Sequence, residues 1–189
     1  MAITIVATVG AANANSFVTE AEAITRAESR LNRPATWTTL AGAVCTDTEK
    51  TALIEAGREL NILWFNGTRV NAVQVLVWPR AFCIDPDSPL ALGTPTIVGY
   101  PYYETTVIPR RVKDAQIELA FEFLKAGTTD LAAHDTTLDV RRKQIDVLET
   151  EYFDAGQRAQ GLGRFPRVIN LLEPLLDPAH MGGLPVVRT

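Results

Sequence analysis

Residues 46–64 read TDTEKTALIEAGRELNILW, and this stretch decides the fold class. Thr46 followed three residues later by Glu49 is the pattern of a capping box, in which each side chain bonds the other residue's backbone N–H. Behind it Leu53, Ala56, Leu60, Leu63 and Trp64 recur every three to four residues, the spacing of one apolar helical face. Gly67 lies past the end as the expected C-cap and, with Trp64, as a structural anchor. Gly57 costs about 1 kcal/mol relative to alanine inside a helix. A close crossing with another helix is a reason to keep it.

The same device occurs upstream. Thr19 and Glu22 form a second capping box, and Ile24, Ala27 and Leu31 make an apolar stripe that Pro34 ends. Pro109 opens a third helix with Val112, Ala115, Leu119, Ala120, Phe123 and Leu124 inward and Gly127 at its stop. A short fourth helix, RVINLLEPLL, is opened by Pro166 and broken by Pro174. The β content is smaller. ITIVATV at 3–9 reads as a short strand, and 138–153 as a hairpin turning near Gln144–Asp146, with a helix as the competing reading. The expectation is a mainly α (α+β) fold: a compact core of three to four helices, a short β-hairpin, a long Pro-rich loop and an extended C-terminal segment.

QVLVWPRAF at 74–82 is the odd element. It starts as an extended run, with Val75 and Val77 on one side and Leu76 and Trp78 on the other, and Pro79 ends the pairing. Trp78 reads as a core anchor. Arg80, just outside the corner, is a candidate for contact with a neighbour or an internal acidic group. The loop 84–107 follows, with Pro86, Pro89, Pro95, Pro101 and Tyr100, Tyr102, Tyr103. Loops of this length are usually functional or partner-bound.

The composition is 47% hydrophobic and 21% charged with a net charge of −4, which fits a globular chain and argues against a dedicated nucleic-acid binder. Cys45 and Cys83 have no metal-ligand spacing and read as buried free thiols; His134 and His180 stand alone. The N-terminal Ala-Asn-Ala imitates a signal-cleavage site, but no basic n-region precedes it and no run approaches a membrane span. A soluble, non-exported protein is expected. There is no G-x-S-x-G, phosphate loop, H-E-x-x-H or paired-cysteine motif, so the chain is not expected to be an enzyme or to need a cofactor. Two basic clusters, Arg110, Arg111, Lys113 and Arg141, Arg142, Lys143, with three tyrosines before the first, leave single-stranded nucleic acid as an alternative partner. The competing reading gives these arginines to salt bridges and the tyrosines to packing.

Residues 1–160 are expected to form the core and 161–189 a linker, short helix and partner-binding tail. Leu171, Leu172, Leu175 and Leu176 need a surface to cover them, either the chain's own helices or a neighbouring subunit.

The order ANSFVTEAEA, ALIEAGREL, WFNGTR, QVLVWPR, IPRRVKDAQIELA and a Leu/Pro-rich end resembles a family of tailed-phage and prophage proteins often labelled DnaT-like single-stranded-DNA-binding. Its members are similar to head–tail connector, or neck adaptor, proteins. The resemblance implies a structural virion neck protein, in the host cytoplasm during assembly. It would form a twelve-fold ring of copies of itself on the portal protein, extend the DNA channel and dock tail or nozzle proteins. Genomic DNA would pass through without specific binding, past acidic side chains, while basic clusters face protein. The candidate partner interface is then Arg80, Arg110, Arg111, Lys113, Arg164, Phe165, Arg167 and the four leucines, with Trp64, Gly67, Trp78 and Pro79 as anchors. The alternative is a single-stranded-DNA-binding accessory protein.

Overall fold

Both capping boxes form as the sequence predicts. In the computed structural model, which describes residues 2–88, 101–129, 142–145, 148–151 and 161–178, Thr19 caps α1 (Glu20–Glu28) and Thr46 caps α2 (Asp47–Asn61). Glu49 does more than complete its box. Its fully buried carboxylate also accepts from the Thr38 and Thr39 N–H groups at 2.7 and 3.0 Å, tying the α1–α2 connection to the helix start. Burial alone would raise its pKa, but hydrogen bonds from Thr39, Thr46 and Thr38 outweigh that and hold it below the ordinary carboxylate range.

The centre of the molecule is α3 (Arg110–Ala126), which touches α1, α2 and the short α4 (Pro166–Leu172). Every position expected to face inward is buried, and so are Gln116, Ile117, Glu118 and Phe121, because neighbours cover α3 on several sides. Each large apolar side chain taken fully from water contributes about 1.5–3 kcal/mol. Gly127 closes α3 in the left-handed conformation, φ 68°.

Gln116 is the polar centre of this core. Its amide nitrogen donates to Ser16 Oγ at 2.9 Å and to the Leu53 carbonyl at 2.7 Å, and its oxygen accepts from Phe17 N–H at 2.9 Å. A Cβ on Gly57 would come within 3.0 Å of that amide nitrogen, so the helical glycine does mark the α2–α3 crossing.

Several expectations are corrected. Residues 3–9 form no strand, because Asn15 closes the segment locally. Its side-chain oxygen accepts from Val6 N–H at 2.7 Å, and its own backbone N–H donates to the Val6 carbonyl at 2.8 Å. α1 stops at Glu28, short of Leu31, which is fully exposed. α2 stops at Asn61, so Trp64 lies beyond it with 65% of its surface exposed. Gly67 is therefore not the C-cap of α2. It sits at φ +78° in a turn where a Cβ would meet the Ala81 carbonyl at 2.3 Å.

The β content consists of two small antiparallel pairs, β1 (Thr68–Arg69) with β2 (Arg80–Ala81), and β3 (Arg142–Ile145) with β4 (Leu148–Glu151). The second is the expected hairpin, not the competing helix. Gln144, read as the start of the turn, lies inside its ladder opposite Glu149. Its Leu138, Val140, Asp146 and Tyr152 lie outside the described residues.

The C-terminal leucines resolve toward the chain's own helices. A 3₁₀ turn at Gly161–Arg164, α4 and a second 3₁₀ turn at Glu173–Leu175 place Phe165, Val168, Leu172, Leu175 and Leu176 in the common core. Residues 161–178 thus share the core; 179–189 lie outside the described residues.

Candidate functional site

The extended run at 74–78 folds as an irregular corner, not a ladder strand. Gln74 directs it. Its buried amide donates to the Leu76 and Pro79 carbonyls at 2.8 and 3.1 Å and accepts from Asn71 N–H at 3.0 Å. The chain turns at a cis Trp78–Pro79 bond with Leu76, Val77, Trp78 and Pro79 all buried and Val75 exposed. Strict alternation therefore fails, because a corner buries consecutive residues.

Trp78 is an anchor as expected. It is fully buried and meets Phe65 and Tyr103 edge to face, with centroids 5.6 and 6.0 Å apart. Tyr103 belongs to the returning end of the long loop. That end pairs with its start through an Ile84–Tyr102 bridge and a bond from Tyr103 N–H to the Cys83 carbonyl, 3.0 Å.

Arg80 meets backbone carbonyls, not the internal acidic group that was one alternative read from the sequence. Its guanidinium donates to the carbonyls of Asn66 (2.7 Å), Phe65 (2.9 Å), Val77 (3.4 Å) and Gly67. A planar fork with five donors suits such convergent carbonyls. Burial lowers its pKa from the usual arginine value, with Cys83 opposing. From the other side the C-terminal segment holds the same strand of chain. Asn66 N–H donates to the Leu175 carbonyl at 2.9 Å, and Asp177 N–H donates to the Trp64 carbonyl at 3.0 Å.

This doubly held segment carries an outward aromatic rim. Phe82 has φ 60°, the one described non-glycine residue in the left-handed region, and its side chain is 71% exposed. Phe82 and Tyr102 meet edge to face at 6.0 Å, with Ile84 exposed beside them. Trp64 is exposed on the segment that Arg80 holds, and Arg69 is exposed one ladder position from Ala81. Ile62, Val73 and Val75 are also exposed, and the Asn61 amide donates to the Val75 carbonyl at 3.3 Å. No sequence motif marks Phe82.

The first basic cluster is distributed among acids. Arg111 meets Asp87 at 2.8 Å, Lys113 meets Glu22 at 2.5 Å, and Arg110 meets Asp114 at 3.4 Å. The bond to Arg111 holds the Asp87 carboxyl below its usual range. Arg142 and Lys143 lie in β3; Arg141, Tyr100, His134 and His180 lie outside the described residues. Of the other expected interface residues, Phe165, Leu172, Leu175 and Leu176 are buried, Arg164 and Leu171 are half-buried and Arg167 is exposed. Cys45 and Cys83 are buried free thiols, each pushed up to about 11 chiefly by burial. Among the described residues no helix is long and apolar enough to cross a membrane.

A family model described as "Putative DnaT-like ssDNA binding protein" matches residues 1–189. The chain belongs to this family. No curated protein and no solved structure matches it. Among the described residues of this DnaT-like chain, Trp64, Phe82 and Tyr102 are exposed aromatic rings, and Arg110 of the first basic cluster keeps 83% of its side chain exposed.

Proposed function

We propose that this chain is a non-enzymatic binding protein for single-stranded DNA, engaging bases by stacking on the rim of Phe82, Tyr102 and Trp64. One observation carries the reading: in a family described as binding single-stranded DNA, a strained backbone turns an aromatic ring toward solvent. Non-glycine residues at positive φ cost about 1–3 kcal/mol and persist where the surroundings over-determine them. Stacking suits an acidic chain, because every base has a π-face and each stacked base contributes about 1–3 kcal/mol without a large positive field.

Titration of a fluorescent oligothymidylate tests this. Binding is expected at low salt, with a shallow salt dependence set by few phosphate contacts, and Phe82→Ala should weaken it about five- to a hundredfold. No binding at low salt sinks the reading.

A second reading is favoured by the exposed apolar side chains of Ile62, Trp64, Val73, Val75, Phe82, Ile84 and Tyr102, and by the order of segments. Exposed apolar area of this kind serves protein interfaces. On this reading the chain is a head–tail adaptor in the virion neck, made in the host cytoplasm, forming a ring with copies of itself on a portal protein and docking tail proteins. Light scattering of the chain alone and mixed with portal protein tests it. An adaptor forms a larger particle that Trp64→Ser with Phe82→Ser disrupts. Unchanged particle size on mixing removes this reading.

A further inference from the structure

Beyond the loop that carries Tyr102, the surface between α1 and the start of α3 is concave. A cleft of about 560 Å³ opens there, lined by Ala21, Glu22, Thr25, Arg26, Ser29 and Arg110. Its two arginines are joined through one carboxylate. Asp114 receives Arg26 at 2.5 Å, Arg30 at 2.9 Å and Arg110 at 3.4 Å. Arg30 also meets Glu118, which accepts from Asn32 at 2.6 Å, and Lys113 is matched by Glu22. Of the residues that line the cleft, Arg26 and Arg110 are cations and Glu22 is the one anion, so the lining is net positive on a chain of net charge −4.

The two arginines on the cleft wall differ in a useful way. Arg26 is largely covered and fixed by Asp114, whereas Arg110 keeps 83% of its side chain exposed and touches that carboxylate only at its long contact. A guanidinium carries five N–H donors, and one such contact leaves most of them for a planar oxyanion. We propose that this cleft is an anion subsite that takes a backbone phosphodiester of the strand whose bases stack on the aromatic rim. The inference rests on the single-stranded-DNA reading above. The two places share one length of chain. From Tyr102 to Arg110 is eight residues, at most about 28 Å when extended, within the span of the roughly 4–16 nucleotides that single-strand-binding folds engage. Along that path Asp85 N–H bonds the Pro101 carbonyl and Arg111 meets Asp87, so the loop is held against the start of α3.

The test is the salt dependence of oligothymidylate binding by the full chain. Arg110→Ala leaves Asp114 with Arg26 and Arg30, so its thermal unfolding should match the parent. Its log–log salt slope should be shallower by about 0.7, the value of one phosphate contact on a single strand. Phe82→Ala should weaken binding with the slope unchanged. Binding that persists with the parental slope in both Arg110→Ala and Arg26→Gln overturns the cleft and leaves the stacking reading intact. Absence of binding by the parent overturns both. Oligoglutamate bound in an Arg110-dependent manner, with oligothymidylate not bound, identifies an acidic protein surface as the occupant and overturns the phosphodiester.

Discussion

Trp78 and Phe82 are four residues apart on either side of Arg80, and they have opposite fates. Trp78 is fully buried between two aromatic rings, while Phe82 is 71% exposed on a left-handed backbone. The inner ring is stabilised by the area it removes from water. The outer ring gains little from the fold and sits on backbone that an L-residue adopts only at a cost. A single corner, held by Arg80 on backbone carbonyls, thus makes an anchor and a display from adjacent sequence.

The sharpest way to break this contrast is truncation of each ring. Trp78→Ala should cost about 3–5 kcal/mol in urea unfolding, whereas Phe82→Ala should stay within roughly 0.5 kcal/mol, as expected of a surface change. Equal losses would mean that both rings serve the core. Cys83 sharpens the boundary further, since it is fully buried directly beside exposed Phe82. With its thiol pushed up to about 11, its thiolate at pH 8 is scarcer than that of a free cysteine by about a hundredfold or more. Labelling by a disulfide reagent should be slower than that of a free thiol by at least this factor in the parent and accelerate in Trp78→Ala. Rapid labelling of the parent contradicts an inner layer that begins at residue 83.

Arg80 links the two layers. Arg80→Ala strands the carbonyls of Phe65, Asn66 and Gly67 without their shared donor and should cost about 2–3 kcal/mol in the same unfolding measurement. Arg80→Lys should not restore it, because an ammonium cannot span convergent carbonyls as a planar fork does. Full rescue by lysine would reduce Arg80 to a simple charge.

The helical part of this architecture was legible because its signals are local. Thr19–Glu22, Thr46–Glu49 and Gly127 act over one turn, and the stripe of α3 is repeated enough to survive one misplacement. The anchor role of Trp78 was legible from residue type. What failed depended on distant partners. Trp64 continues the spacing of α2 on paper, but the C-terminal segment captures its backbone carbonyl and leaves the ring outside. Arg80 finds carbonyls because the Gly67 turn folds back onto residues 81–83, a closure that no local pattern announces. The basic residues at the start of α3 follow the salt-bridge reading, but which acids they meet was hidden because Glu22 and Asp87 lie outside that helix. Phe82 was missed for a further reason: its signal is a backbone angle.

The smallest effect separates stability from function most directly. Glycine enters the left-handed region without the steric penalty of a Cβ. Phe82→Gly should therefore relieve the strain at φ 60° and, set against glycine's greater unfolded-state entropy, leave stability unchanged or raised by up to about 1 kcal/mol. The same variant should lose oligothymidylate binding as fully as Phe82→Ala, since both remove the ring. A variant at least as stable as the parent yet deficient in binding would show that the fold tolerates strain at this position for the sake of the ring it displays. A Phe82→Gly loss above about 1 kcal/mol would instead place the outer ring among the structural contacts and erase its distinction from Trp78.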